Sequence, residues 1–311
     1  MGGKKMKWKK LGRVYCPSEE DPYTHAMFPV VEVSDNERGR VRIYYTHRDK
    51  TNYGFPTYMD ASIVDDKFSI LYNHHEPIIE KAALGNFDDS GVNVTSIVKI
   101  NGRKRFYYYG WNLGVTVPFR NSIGVAEEAE DGVMLKRLYA GPIMDRSKEF
   151  PNLCATPCVL KEGDAFKMWF ASGEPWLLMD GKPAVACSIG YAESENGLDW
   201  RRQKAPAVGH GDGDHVVSTP CVLKDGNIYK MWYSYRGRKY RIGYAESHDG
   251  RTFHRMDEQV GIDVSEKDWD SDMICYPCVF DLGQKRYMIY CGNEYGKTGF
   301  GLAVLTEDHR S

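Results

Sequence analysis

Four carboxylates sit in local contexts that the rest of the chain does not repeat: Asp49, Asp89, Glu174 and Asp272. Making or breaking a glycosidic bond through an oxocarbenium-like state needs two carboxyl groups, one ionised and one protonated near neutral pH. A ring of acids around one opening separates its own pKa values by mutual repulsion and partial burial. Residues suited to holding a sugar accompany them. Trp111, Trp176 and Tyr295 offer flat apolar surface, while Asp88, Asn112, His215 and Asn293 offer partners for hydroxyls. Arg48, Arg120 and Arg236 carry the planar fork that suits a phosphate. The expectation is that the four acids are catalytic, in roles the sequence does not order, and that the other ten bind substrate.

Simpler readings compete at several of these places. Asp88-Asp89 also suits an Asx turn ahead of a strand, and Arg48-Asp49 a salt bridge in a loop. Glu127, Glu193 and Glu246 recur at one repeat position, which marks them as scaffold, and Trp169 and Trp232 recur as packing residues. His74 and His75 are adjacent on an extended segment and point to opposite sides, so they do not chelate. There is no Cys-x-x-Cys pair, no Gly-rich phosphate loop and no serine nucleophile elbow, so no metal and no cofactor are expected. A net charge of -2 over 311 residues gives no reason to expect nucleic acid as a partner. No apolar stretch reaches the length of a bilayer span and no secretory core is present, so the expectation is no membrane insertion and a cytoplasmic location. Of the 8 cysteines, Cys158, Cys221 and Cys278 share one repeat position and are expected to be small buried hydrophobes rather than disulfide partners.

The elements that must position these residues come from a repeat. Thr156-Pro157-Cys158-Val159-Leu160-Lys161 leads to Lys167-Met168-Trp169-Phe170 and then Ile189-Gly190-Tyr191-Ala192-Glu193-Ser194. Thr219-Pro220-Cys221-Val222-Leu223-Lys224 leads to Lys230-Met231-Trp232-Tyr233 and Ile242-Gly243-Tyr244-Ala245-Glu246-Ser247. A third copy begins at Tyr276-Pro277-Cys278, and the proline spacings are 63 and 57 positions. A period of that length with several short strands is the signature of a propeller blade. First strands near Met27, Asn93, Thr156, Thr219 and Tyr276 predict an all-β, five-bladed propeller over residues 1–311 as one domain, with four-stranded antiparallel blades. The last unit stops at Ser311, and Lys4, Lys5, Lys7, Lys9 and Lys10 alternate with Met6 and Trp8 as an edge strand would. The amino-terminal strand is therefore expected to close the last blade. Residues just ahead of each first strand, and loops between second and third strands, should meet at one axial mouth. That filter also picks Asp21, His25, Glu149, Asp212, Asp214 and Asp270.

The chain resembles the five-bladed β-propeller glycosidase superfamily, which includes glycoside hydrolase families 32, 43, 68 and 130. Within it, the resemblance is to glycosidase-like proteins associated with bacterial surface-polysaccharide synthesis. The carrying motifs are Thr46-His47-Arg48-Asp49, Gly85-Asn86-Phe87-Asp88-Asp89-Ser90-Gly91-Val92 and Tyr109-Gly110-Trp111-Asn112. Met231-Trp232-Tyr233-Ser234-Tyr235-Arg236, Trp269-Asp270-Ser271-Asp272 and Gly292-Asn293-Glu294-Tyr295-Gly296 complete them. The resemblance implies a glycosidase-like enzyme, whether hydrolase, phosphorylase or transferase, acting on a carbohydrate or sugar-phosphate ligand. It gives Asp49 a part in binding sugar hydroxyls. Lys50 stands where family 32 has proline and no Asn-Asp-Pro-Asn motif occurs, so invertase chemistry is not expected. The alternative is a non-catalytic propeller that binds a glycan or sugar nucleotide beside a glycosyltransferase partner. A carboxylate pair roughly 5–10 Å apart across the mouth would mark the enzyme, and aromatics with arginines but no such pair would mark binding.

Overall fold

The computed structural model describes residues 5–308, so Lys4 and Ser311 lie outside the described residues. Among those residues the aromatic and β-branched runs form strands throughout. Helix is confined to a 3-10 turn at Asp257–Gln259 and a short segment at Asn293–Gly296. Pairing gives one four-stranded sheet, a two-stranded hairpin and two eight-stranded sheets, each of the latter joined by a single parallel contact, Gly54 with Gly91 or Cys187 with Val216, so that five antiparallel runs of four can be traced. The first is Thr24–Asp35, Arg40–Arg48, Gly54–Val64 and Lys67–Asn73. The second is Gly91–Ile100, Arg103–Leu113, Phe119–Glu128 and Leu135–Arg137. The third is Cys154–Glu162, Ala165–Gly173, Cys187–Ser194 and Arg201–Arg202, with a small hairpin, Leu177–Met179 and Lys182–Ala184, inserted after its second strand. The fourth is Val216–Asp225, Ile228–Arg236, Tyr240–Ser247 and His254–Arg255. The fifth is Cys275–Leu282, Lys285–Cys291 and Phe300–Glu307, completed by Lys7–Tyr15 from the other end of the sequence.

The repeated motifs have a packing reason. A Cβ at Gly243 would collide with the ring of Tyr233, and one at Gly124 with Tyr108. The glycine of the third strand thus makes room for the aromatic of the second. Trp169 and Trp232 are wholly buried between neighbouring layers.

The first strands of all five runs line one narrow channel of about 160 Å³. Between neighbouring first strands, side chains stand in for a backbone ladder. The Ser96 hydroxyl accepts the Val159 N–H at 2.9 Å. Cys158, Cys221 and Cys278 sulfurs accept the N–H groups of Val222, Val279 and Val31 at 3.4, 3.2 and 3.4 Å. The recurring cysteines are therefore more than small hydrophobes. Each satisfies an amide of the next run, in a space too narrow for a larger acceptor. All eight cysteines are free thiols.

Four of these strands carry a register shift at the same place. There Phe28, Thr156, Thr219 and Tyr276, each directly before a proline, have φ of 50°, 46°, 52° and 56°. A left-handed backbone at a non-glycine residue costs about 1–2 kcal/mol, and a bulge of this kind re-aims a side chain.

Candidate functional site

Beside the channel, and sharing Phe28 and Tyr276 with it, lies a cavity of about 620 Å³ lined by residues of all five runs. Eight of its twenty lining residues are aromatic. Phe28 stacks on Tyr276 with centroids 3.9 Å apart, and Tyr109 meets Phe28 edge-on at 5.5 Å. Tyr240 lies 6.2 Å from Tyr276 and 5.9 Å from Tyr295. Across the loops, Phe119 and Trp176 meet edge-to-face at 5.2 Å. Trp111 completes this lining, and its indole lies so close to Gly91 that no side chain fits at that position.

Two guanidinium groups and three amides supply the polarity. Arg48 ends the second strand of the first run and donates to Asn52 Oδ1 at 3.2 Å. Arg236 ends the second strand of the fourth, sits 5.1 Å over the Tyr240 ring and donates to His215 Nε2 at 3.4 Å. The His215 imidazole is held below its ordinary pKa by burial and by Arg236, which suits its role as an acceptor. Asn52, Asn93 and Asn121 also line the cavity. Asn93 is 3% exposed, and its side-chain oxygen has no partner in the protein. Burial pushes the Tyr109, Tyr240 and Tyr276 phenols up, so they remain protonated and act as donors rather than bases. Among the described residues lining the cavity there is no aspartate or glutamate.

None of the four acids expected to be catalytic lines this cavity. Asp49 Oδ1 accepts the Thr51 N–H and hydroxyl at 2.8 and 2.7 Å and the Tyr53 N–H at 3.0 Å, closing its own loop. Burial opposes its ionisation, but these hydrogen bonds outweigh it and hold the carboxyl below the usual range. Asp89 accepts the Gly85 N–H at 2.9 Å and the Ser90 hydroxyl at 2.9 Å. Asp272 is exposed and paired with Lys239 at 2.7 Å. Glu174 lies 3.6 Å from His210 and lines a separate cleft of about 450 Å³, together with Glu149.

Asp88 does not line the cavity either. It is wholly buried and accepts from Arg137 at 2.7 Å and from the Tyr108 hydroxyl at 3.2 Å. Arg137 belongs to the outermost strand of the same run. Asp214 is tied in the same way to Arg255 at 2.9 Å, and Asp270 to Lys10 at 2.7 Å, with the cation again on the outermost strand. In three of the five runs a residue just ahead of the first strand thus turns back to latch its own run. The axial opening is given instead to residues at the bulges, Phe28 and Tyr276.

Of the expected binding residues, Arg48, Trp111, Trp176, Arg236 and Tyr295 come together here. The other five, Asp88 among them, do not line it. Asn112 donates to the Asn86 carbonyl at 3.2 Å, and Arg120 is exposed. His215 stands beside Arg236, and Asn293 accepts the Asp272 and Met273 N–H groups at 2.8 and 3.1 Å. Sequence reasoning missed Phe28, Asn93, Tyr109, Tyr240 and Tyr276. A signal existed for two of them, because Phe28-Pro29 and Tyr276-Pro277 put an aromatic where the other repeats have threonine.

Solved structures share this architecture over nearly the whole length. A glycoside hydrolase aligns at a TM-score of 0.73 with 17% identity, covering 97% of this chain and 92% of that one. A glycosyl hydrolase from Bacteroides ovatus gives 0.67 at 15% identity, covering 97% and 94%. A thermostable family-43 glycoside hydrolase gives 0.64 at 12%, covering 96% and 97%. The all-β fold is thus the one these solved glycoside hydrolases share. No family model matches the sequence. At higher identity stand two Mycobacterium tuberculosis proteins, Uncharacterized protein Rv1502 of strain H37Rv and Uncharacterized protein MT1551 of strain CDC 1551. Each is 40% identical over 305 residues, spanning 96% of this chain and 99% of its own length. The present protein belongs to the family of these two.

Proposed function

We propose that the chain is one five-bladed propeller over residues 1–311, a glycosidase-like protein whose axial mouth binds a carbohydrate without cleaving it. One observation carries this reading: the cavity offers aromatic faces, amides and arginines for a sugar, and no carboxylate among its described lining residues. Sugar rings present apolar C–H faces to aromatic planes, and their hydroxyls pair with amides and protonated phenols. Hydrolysis needs a proton donor and a base or nucleophile on either side of the scissile bond. A binding-only mouth is useful beside an enzyme that transfers the sugar, so a glycosyltransferase is the partner in this reading. Eight unpaired cysteines support a cytoplasmic setting.

The enzymatic reading keeps one foothold, since Glu149 and Glu174 share a cleft. Both readings are tested together by calorimetric titration with short glycans and by turnover of chromogenic glycosides. Trp176→Ala and Tyr295→Ala should weaken binding about tenfold each, with no turnover in any protein. Turnover by the wild type that disappears in Glu174→Gln would replace the binding reading with the enzymatic one.

A further inference from the structure

The two arginines of the mouth differ from the other half-buried arginines. Arg42, Arg105, Arg137, Arg255 and Arg286 each pair with a carboxylate, at 2.7 Å to Asp60, 3.1 Å to Glu127, 2.7 Å to Asp88, 2.9 Å to Asp214 and 2.8 Å to Asp225. Arg202 lies flat over the Phe150 ring at 3.7 Å. Among the described residues Arg48 and Arg236 have no carboxylate partner, although each lines a cavity walled by aromatic rings. The Nε atoms of both are shielded from solvent and have no partner in the protein. A guanidinium in such surroundings is stabilised strongly by an anion and only weakly by a neutral hydroxyl, because charge and a two-oxygen geometry match its fork. Asn93 adds an independent sign: the residue lines the same cavity, and its amide oxygen is buried without a partner in the protein. It suits a hydroxyl donor on the ligand.

Resting on the carbohydrate reading of the mouth, we propose that its ligand is an anionic sugar, with Arg48 and Arg236 holding the negative group and Asn93 accepting from a ring hydroxyl. Carboxylate and phosphate share the required chemistry, so the test carries an arm for each. Binding of glucuronate, glucose 1-phosphate, glucose and inorganic phosphate to the full chain is measured by calorimetry and by thermal shift. One of the two anionic sugars should bind at least about tenfold tighter than glucose, and its identity names the anionic group. Arg48→Gln and Arg236→Gln should each lose about tenfold or more for that probe, a clearly larger loss than either shows for glucose. The lysine variants, which keep the charge without the fork, should fall between wild type and glutamine. Unliganded melting temperatures and circular dichroism confirm that each variant folds.

Equal binding of glucose and both anionic sugars overturns the anionic proposal and leaves the carbohydrate reading standing. Inorganic phosphate binding as tightly as glucose 1-phosphate upholds the anion grip and overturns the carbohydrate reading. Unchanged affinity of folded glutamine variants for the anionic probe overturns the assignment to these arginines. Silence from every probe at millimolar concentration overturns both readings.

Discussion

Asp88→Asn is the sharpest perturbation the structure offers. The carboxylate is wholly buried and lies 2.7 Å from Arg137, whose side chain is 16% exposed. Asparagine keeps the shape and removes the charge, leaving the guanidinium with the Glu80 carbonyl as its remaining partner at 2.7 Å. Breaking a buried ion pair on one side costs about 3–5 kcal/mol, and that carbonyl argues for the lower end, about 3 kcal/mol. With an m-value of about 3 kcal/mol per molar urea, the unfolding midpoint should fall by about 1 M. Urea titration followed by tryptophan fluorescence and circular dichroism reads this directly. Asp272→Asn is the control, since Asp272 and Lys239 are 48% and 55% exposed and their pair is worth at most about 1 kcal/mol. Combining Asp88→Asn with Arg137→Met should cost less than the sum of the two, because no charge is then stranded. The latch is refuted if Asp88→Asn stays within about 0.2 M of the wild-type midpoint. A simultaneous loss of glycan binding would restore Asp88 as a ligand residue.

Other outcomes follow from the same geometry. Cys221→Ala removes the acceptor of the Val279 N–H and should cost about 1–3 kcal/mol in the same titration, while Cys221→Ser should recover most of it. His25 is held down to about 4 by burial, then by Arg48 and Lys297, against 6.5 for the free side chain. The unfolded chain therefore takes this proton from about pH 6.5 downward and the folded chain only near 4, so stability should drop with acidification across that window. His25→Gln should flatten that part of a stability-against-pH curve. Asp225 is held down to about 2, first by its hydrogen bonds from Arg286 and against the opposing effect of burial. Its contribution is complete above 3.8 and is lost as pH falls through 2, so Asp225→Asn should lower stability at pH 7 and leave it nearly unchanged at pH 2.

The repeat made the strands legible because each motif answers to a local contact. Glycine in the third strand faces an aromatic of the second, and that pairing is written in residues at fixed spacing. Trp169 and Trp232 were legible as packing for the same reason, as was Glu193, which pairs with Arg201 and Arg251 on the rim. The site was half legible. Arg48, Trp111 and Arg236 lie at the ends of second strands, and Trp176 and Tyr295 shortly after them, so the strand order dictates their direction. The setting of the acids was not legible, because uniqueness in sequence hid recurrence in space. Asp88, Asp214 and Asp270 have different neighbours in sequence, yet each meets a cation on the outermost strand of its own run. No periodicity exposes that partnership, since the cation is an arginine 49 positions later, an arginine 41 positions later or a lysine 260 positions earlier. Phe28 and Tyr276 were hidden by backbone conformation, as a bulge turns residues that simple alternation would assign to blade packing.

The pairing of Lys7–Tyr15 with Phe300–Glu307 also bears on how the molecule comes into being. Lys7 and Glu307 meet at 2.7 Å across 300 positions of sequence, so the first strand synthesised must wait for the last. Until then one sheet keeps an open edge, with unpaired N–H and C=O groups along Phe300–Glu307. Until then that edge can accept the amino-terminal strand of a second molecule, and such exchange would give linked pairs or longer arrays. The same adjacency of the two ends means that a short linker joining them, with new termini cut at the Gly163 or Gly226 turn, should yield a permuted protein that closes without waiting for the opposite end of the sequence.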